Sequence, residues 1–215
     1  MVELKMGWPL RTVDVPFMIR LYGVTDEQFD EMVTEDTKAE LFDGVMIVHS
    51  PATPDHDDIA GFQRALMRIY ADDRGLGKVF GPDSLVRLRR GRRFGADIFF
   101  IRSGRVPSRP AKEFELVPDL MLEVLSPSNR DYDLDEKRAF YREARVPEIW
   151  FIDPDERQVI VDRRRGRRYI TTTATKGRVQ SDVLPGFWIE ASWLWSDPLP
   201  NAMACLRRIL AEPEA

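Results

Sequence analysis

The segment 118–141, PDLMLEVLSPSNRDYDLDEKRAFY, limits most strongly what this chain can fold into. Residues 120–125 form an apolar run of strand length that is interrupted by one acid, Glu123. Because side chains alternate along a strand, Leu120, Leu122 and Val124 are predicted to share one face, and Glu123 lies on the other. A buried carboxylate is costly unless a cationic group meets it. The segment therefore predicts a buried strand whose acid needs a partner from elsewhere.

A helix is predicted after the break that follows this strand. Asp133 and Glu136 have the spacing of an N-terminal capping box. Lys137 and Tyr141 fall on one helical stripe, so Lys137 is expected to point back towards the strand that carries Glu123. An inward lysine and a strand acid are parts of a metal-assisted hydrolase. They are equally the parts of a plain buried ion pair, and Lys137 could pair with Asp133 or Glu136 instead.

Composition limits the class of protein. The chain has 215 residues, of which 43% are hydrophobic and 32% charged, as in a globular domain with a substantial core. Its formal net charge of −4 argues against non-specific coating of nucleic acid, although a local basic cleft stays possible. A single cysteine, Cys205, excludes a disulfide framework and a zinc site built on several cysteines. The N-terminal residues lack the apolar stretch of a signal peptide, and a cytoplasmic protein is expected.

The remaining pattern predicts many strands and a few helices. A helix over 25–33 begins at the N-cap Thr25, and a long helix runs from Asp55 to near Gly75 with Ile69 on its inner stripe. The Asp43-Gly44 dipeptide between apolar flanks predicts a type I′ hairpin. The arginine-rich runs 89–93 and 163–168 are predicted hairpin tips, the first joining strands 85–88 and 96–101.

This pattern favours an α+β or mixed-sheet domain. The predicted divisions of the chain are a lead-in over 1–16, one domain over 17–195 and a C-terminal helical tail over 196–215.

Three carboxylates stand at the margins of predicted apolar strands: Glu40, Asp97 and Glu123. Oxygen ligands suit Mg²⁺, which needs few protein carboxylates and keeps several waters. An ion held in this way activates water and offsets charge on a phosphate oxygen, and a nearby lysine stabilises transition-state charge.

Several of these motifs together resemble a known family. They are ELFDG, the helix led by PATPDH, ADIFF, the long run from PDLMLEV to WFIDP, and VLPGF. The chain is similar, over roughly 17–195, to the Uma-two family of restriction-endonuclease-like proteins in the PD-(D/E)XK nuclease superfamily. The resemblance implies a mixed sheet flanked by helices and a divalent-metal phosphodiesterase site. By position, Asp97 matches the motif aspartate, Glu123 the motif (D/E), and Glu40 the acid before the Asp-Gly turn.

Two positions depart from the superfamily pattern. Ala96 replaces the motif proline, and Leu125 stands where the general pattern has lysine. The family's own version is glutamate, valine, any residue, serine, so the second departure is shared by the family. Lys137 is then the candidate for a displaced catalytic lysine.

Structural interpretations stand beside these functional ones. Asp97 and Glu123 could be strand-end acids paired with arginines, and Glu40 could be solvated beside its hairpin. His56, in the first turn of its helix, could be an exposed polar residue or a base or phosphate contact. The serines of SPSN could contact a phosphate or cap a turn. The arginine-rich tips could follow a nucleic-acid backbone or form ordinary surface.

The main prediction is a nuclease that depends on Mg²⁺ (or Mn²⁺) and hydrolyses phosphodiester bonds in DNA, and a homodimer is a further hypothesis. Asp97 and Glu123 would bind the metal, Glu40 would support the metal or the water, and Lys137 would stabilise the transition state. Two alternatives stay open: a non-catalytic binding or assembly module that retains the fold, and a hydrolase of another phosphate ester.

Overall fold

The computed structural model describes residues 17–34, 37–108 and 112–211 in full, and the backbone of 2–4 and 11–13. The helices are α1 (Asp26–Met32), α2 (Pro54–Asp73), α3 (Arg138–Glu143) and α4 (Ala202–Leu210). A π-helical segment, Tyr132–Lys137, leads into α3, and 3₁₀ turns span Ser103–Arg105 and Ala191–Trp195. The strands are β1 (Val2–Leu4), β2 (Arg11–Val13), β3 (Met18–Tyr22), β4 (Ala39–Phe42), β5 (Val45–His49), β6 (Gly77–Phe80), β7 (Leu85–Arg89), β8 (Arg92–Phe94), β9 (Ile98–Arg102), β10 (Glu113–Phe114), β11 (Leu120–Val124), β12 (Glu148–Asp153), β13 (Gln158–Arg165), β14 (Arg168–Ala174), β15 (Arg178–Gln180) and β16 (Trp188–Glu190).

Two larger sheets organise the described part of the chain. Sheet I has six strands in the order β10-β7-β8-β4-β5-β3, and sheet II has six in the order β14-β13-β12-β11-β9-β6. Sheet II is mixed, because β11 runs parallel to β12 and antiparallel to β9. The predicted fold class, mixed β structure flanked by helices, is confirmed.

The local turn and cap signals predicted their structures well. Asp43 and Gly44 both have positive φ, 41° and 91°, and join β4 to β5 as a tight hairpin. Thr25 and Gln28 form the predicted capping box of α1. The long helix is present as α2, with one error on its inner stripe: Ile69 is 44% exposed, whereas Leu66 and Tyr70 are buried.

The predicted hairpin between residues 85–88 and 96–101 is wrong. Residues 92–94 form a strand of their own, β8, which pairs with β7 in sheet I, and the chain then crosses to sheet II for β9. Arginines look like turn residues in the sequence, yet Arg92 and Arg93 are buried, because acids from other elements pair with them. Residues 95–97 consequently join the two sheets, which brings Asp97 to their junction.

The capping box predicted at Asp133 and Glu136 is also wrong. The helix already begins near Arg130, the Asp133 amide bonds to the Asn129 carbonyl, and the Glu136 carboxylate pairs with Arg20. Asp133 lies instead inside the π-helical segment and is buried. A π turn inserts one residue into a helix and is frequent at functional sites.

The alternation predicted for β11 is present in the packing. Leu120, Leu122 and Val124 pack on the side of α2 and α4 in one core cluster. Met121 and Leu125 pack in a second cluster on the other side, together with Tyr132 and Tyr141. Glu123 therefore faces the helix that carries Lys137, as the period-two pattern requires.

Most of the predicted lead-in, residues 1–16, lies outside the described residues, apart from β1 and β2, which pair antiparallel. The predicted domain divisions stay predictions. No helix in the described ranges is long and apolar enough to cross a membrane.

A buried aspartate holds α3 against sheet II. Asp162 on β13 is fully buried and accepts hydrogen bonds from Arg138 at 2.8 Å, from Arg142 at 2.7 Å and from Thr171 at 2.6 Å. Burial opposes ionisation, but the two arginines lower the pKa of Asp162 to about 2. Since α3 continues from the segment that carries Lys137, this anchor also fixes the lysine's helix.

We expect Asp162→Asn to lower the free energy of unfolding by about 2 kcal/mol at pH 7. The depressed pKa stabilises the folded state above the unfolded pKa of about 4, and this contribution is lost as pH falls towards 2. Urea titrations at pH 7 and pH 3 should therefore show a smaller gap between variant and wild type at the lower pH. Asp182→Asn, at a more exposed acid paired with Arg165, is the control. A gap that does not depend on pH would contradict the role of Asp162.

Candidate active site

The four predicted site residues converge at the junction of the two sheets. Glu40 comes from β4 of sheet I, Asp97 directly precedes β9, Glu123 lies on β11, and Lys137 ends the π-helical segment. The Lys137 ammonium lies 2.9 Å from Glu40 Oε1 and 3.0 Å from Glu123 Oε1. The Asp97 amide approaches Glu123 Oε2 at 3.4 Å. A single cluster therefore joins three parts of the chain that are far apart in sequence: Glu40, Asp97 and the segment 118–141, which carries both Glu123 and Lys137.

Asp97 is held by groups from three different elements. Its Oδ2 accepts the Val124 amide at 2.9 Å and His56 Nε2 at 3.0 Å, while Lys38 lies 3.3 Å from Oδ1. A carboxylate can only accept, so His56 donates through Nε2. Its place in the first turn of α2 thus brings the His56 ring against Asp97, and the ring is mostly buried. Its predicted exposure is wrong.

Glu123 is held by two residues on the inner face of the helix that follows β11. Tyr141 donates to Glu123 Oε1 at 2.6 Å, beside the contact from Lys137. Both helical residues come from the predicted stripe. Among the described contacts neither Glu123 nor Asp97 meets an arginine, which removes the interpretation of these acids as ordinary arginine partners.

Glu40 is the most fully engaged acid of the cluster. Oε1 accepts the Gly95 amide at 3.1 Å beside Lys137, and Oε2 accepts from Tyr132 at 2.9 Å and from His49 at 3.1 Å. Only 1% of the residue is exposed, so its predicted alternative, a solvated acid, is wrong. The contacts indicate that Glu40 positions Lys137 and ties β4 to the chain crossing at Gly95.

Sequence reasoning missed three residues of this cluster, Lys38, His49 and Tyr132, and named Asp133 only as a structural partner of Lys137 or a helix cap. Tyr132 and Asp133 carried a usable signal, since they lie next to the helix that already held Lys137, but the capping pattern assigned Asp133 to the helix start. His49 lies two residues after Ile47 on the same face of β5, and Ile47 is the register partner of Glu40. The predicted hairpin turn therefore already indicated a diagonal contact between His49 and Glu40. Lys38 carried no signal, because its contact with Asp97 crosses 59 positions.

The electrostatics separate the two candidate metal ligands. Burial, reinforced by Asp97 and Glu40, raises the pKa of Glu123 to about 7 despite the nearby Lys137. Burial also opposes ionisation of Asp97, but the hydrogen bond from His56 and the charge of Lys38 hold its pKa below the ordinary value. The pair therefore titrates as a unit in which Asp97 carries the negative charge first.

The cluster holds more acids than permanent cations. Burial raises the pKa of Asp133 well above its ordinary range, and Lys137, 3.7 Å away, offsets this only in part. The pKa of Lys137 is raised well above normal, because Glu123 and Glu40 outweigh its burial. Four carboxyl groups, from Glu40, Asp97, Glu123 and Asp133, thus share two ammonium groups. Added positive charge would favour ionisation of the acids.

The oxygen atoms of the site suit a hard divalent cation that takes only one or two ligands from the protein. Across the described ranges, no three His, Cys, Asp or Glu side chains are grouped as a metal centre. Mg²⁺, however, is commonly held by one or two carboxylates with waters and substrate oxygens. Asp97 Oδ1 and Glu123 Oε2 make the longer contacts of their carboxylates, 3.3 Å and 3.4 Å, and keep acceptor capacity. These two residues would hold such an ion.

Comparison with known proteins places this chain in a family. Residues 26–192 match the model of the Uma2 family, described as "Putative restriction endonuclease". The chain belongs to the Uma2 family. A search of curated proteins gave no match. Among solved structures, the fold is similar to that of "a putative nuclease belonging to DUF820" from Anabaena variabilis ATCC 29413, at 18% identity and a TM-score of 0.70. The match covers 80% of this chain and 97% of that protein.

The family resemblance predicted from the motifs is thus confirmed. All four predicted site residues of this Uma2 member lie inside the matched range. The similarity to this solved structure is one of fold. Roles for the individual side chains come from the contacts above.

We expect Lys137→Met to lower the free energy of unfolding by about 3–5 kcal/mol, because it leaves buried carboxylates without their cation. In a Glu123→Gln background the same substitution should cost at least ~1 kcal/mol less, since one of those acids is already neutral. Urea unfolding of the wild type, both single variants and the double variant measures this coupling. Lys78→Met, at an exposed lysine paired with Asp72, should cost less than about 1 kcal/mol. Additive costs for Lys137 and Glu123 would contradict their interaction.

Proposed function

We propose that this protein is a divalent-metal-dependent endonuclease that hydrolyses phosphodiester bonds in DNA. The observation that carries the proposal is the convergence of Asp97, Glu123 and Lys137 at the junction of the sheets. Membership of the Uma2 family and the nuclease-like fold support a nuclease. The predicted Mg²⁺ dependence and the DNA substrate are further proposals that the experiments below address, and the homodimer is a separate proposal.

Asp97 and Glu123 would hold Mg²⁺ or Mn²⁺, which when bound supplies an activated water and charge compensation at the phosphate. His56 and the Val124 amide fix the orientation of the Asp97 carboxylate. Tyr141 does the same for Glu123. These supports come from the backbone of β11, from the first turn of α2 and from α3.

Lys137 would stabilise the transition state through its fixed positive charge, from behind the carboxylates of the site. Its ammonium is held between Glu40 and Glu123 without freedom to leave, because both contacts are short and the side chain is almost completely buried. A preoriented charge in a site that excludes water stabilises a developing negative charge strongly. Glu40 would act through Lys137 as a positioning residue.

Asp97→Asn and Glu123→Gln should each reduce cleavage of supercoiled plasmid in Mg²⁺ or Mn²⁺ by at least ~100-fold, because each removes one charged ligand. Asp119→Asn is the matched control. Asp119 directly precedes β11, is buried and pairs with Arg105. Strand geometry places it about 13 Å from Glu123, which lies near the other end of β11.

Each outcome of the cleavage assay decides between the candidate functions. Nicking by the wild type and the Asp119 variant alone supports the nuclease and its two acids. Equal nicking by all four proteins would show that the site is misassigned. No nicking of plasmid or oligonucleotide would favour the non-catalytic module, and turnover of a small phosphodiester alone would favour a different phosphate ester.

Metal binding should also be visible without turnover. Ten millimolar Mg²⁺ at a Kd near 1 mM would stabilise the native state by about 1.4 kcal/mol, a rise in Tm of about 3–6 °C. The rise should disappear in Asp97→Asn and persist in Asp119→Asn, measured by thermal unfolding with and without metal. A wild-type Tm that Mg²⁺ and Mn²⁺ leave unchanged would contradict a metal site at these residues.

A further inference from the structure

Lys38 occupies a position unlike that of the other site lysine. It directly precedes β4, and its ammonium lies 3.3 Å from Asp97 Oδ1. Its side chain is 35% exposed, whereas that of Lys137 is 5% exposed. Lys137 is enclosed by three acids, while the contacts described for Lys38 engage one of its three N–H donors. Lys38 is thus a site cation with donors left for another molecule.

Two cavities meet at this lysine. The first, of about 30 Å³, is polar and is lined by Lys38, His56, Ser126, Ser128 and Asn129 among others. It is large enough for one or two water-sized groups. His56 Nδ1 is buried in its wall and has no hydrogen-bond partner among the described residues.

The second cavity, of about 280 Å³, is also lined by Lys38. It reaches Glu40 and has a largely small and apolar lining that includes Ala39, Ala52 and Leu85. Ala52 and Lys38 line both cavities. Lys38 is therefore the only charged residue that the two cavities have in common among the described residues.

A phosphate group is the ligand chemistry that suits this point. The acids around Asp97 repel an anion, so a phosphate can approach only where cationic charge faces the opening. Lys38 provides that charge at the rim, while Lys137 lies behind the carboxylates. The polar cavity beside Lys38 has room for a phosphate oxygen or its bound water, and the larger cavity has room for a neighbouring sugar or base.

We propose that Lys38 binds a backbone phosphate of the nucleic-acid substrate, at the phosphodiester next to the metal site. This inference rests on the proposed nuclease function and adds a substrate-binding residue to it. Lys38 would leave its long contact with Asp97 Oδ1 when a metal and a phosphate bind, and would then pair with the phosphate instead. No covalent change occurs at Lys38.

The test is the salt dependence of DNA binding. A fluorescently labelled duplex is titrated with full-length protein in Ca²⁺, which takes oxygen ligands, at several KCl concentrations from 50 to 200 mM. Lys38→Met should reduce the magnitude of the negative slope of log K against log salt by about 0.9 and weaken binding about tenfold at 50 mM, because one phosphate contact is lost. Lys38→Arg should restore both. Lys78→Met, at a lysine paired with Asp72 and outside both cavities, should change neither.

The outcomes separate this proposal from the nuclease itself. A wild type that cleaves DNA, with a Lys38→Met variant that keeps the wild-type slope and KM, would overturn the role of Lys38 alone. A Lys38→Met variant that loses only the metal-induced rise in Tm would also overturn it, because the lysine would then serve Asp97 and not the substrate. A wild type that neither binds nor cleaves nucleic acid would overturn the proposed function and this inference together.

Discussion

The buried ammonium of Lys137 is the interaction on which the site depends. It joins Glu40 of sheet I to Glu123 of sheet II, and it lies in the π-helical segment that leads into α3. Buried carboxylates at this density are tolerated only when cations and hydrogen-bond donors meet them. Tyr132 and Tyr141 supply those donors from either side of Lys137. One side chain therefore links the two sheets, the helix and the candidate chemistry.

The second organising feature is the chain crossing at residues 95–97. Gly95 donates to Glu40, and Asp97 reaches both Glu123 and the Val124 amide. The crossing thus brings an acid from the start of β9 against an acid of β11 while it leaves sheet I. The segment in which the chain passes from sheet I to sheet II therefore also brings the two proposed metal ligands together. The excess of acid over cation at this point is what a divalent ion would offset.

The cluster has an inner and an outer part with different chemistry. Glu40, Lys137 and Asp133 are enclosed, so their charges are fixed in a region of low dielectric. Lys38 and His56 stand at the cavity side, where a substrate could reach them. This division explains how a protein with a formal net charge of −4 can present positive charge at one opening. Local arrangement, and not overall charge, decides which ligand approaches.

The sequence by itself determined the local elements and the candidate acids. Period-two alternation placed Glu123 on the correct face of β11, the Asp43-Gly44 pair set its hairpin, and the stripe on the helix turned Lys137 inward. These features depend on neighbours within a few residues, which a sequence displays. Only the tertiary structure decided that Arg92 and Arg93 are buried strand residues, that Asp133 lies in a π turn, and that Lys38 reaches Asp97. The positions of Arg92, Arg93 and Lys38 depend on partners tens of positions away, and on charge pairs that reverse the ordinary preference of polar side chains for the surface.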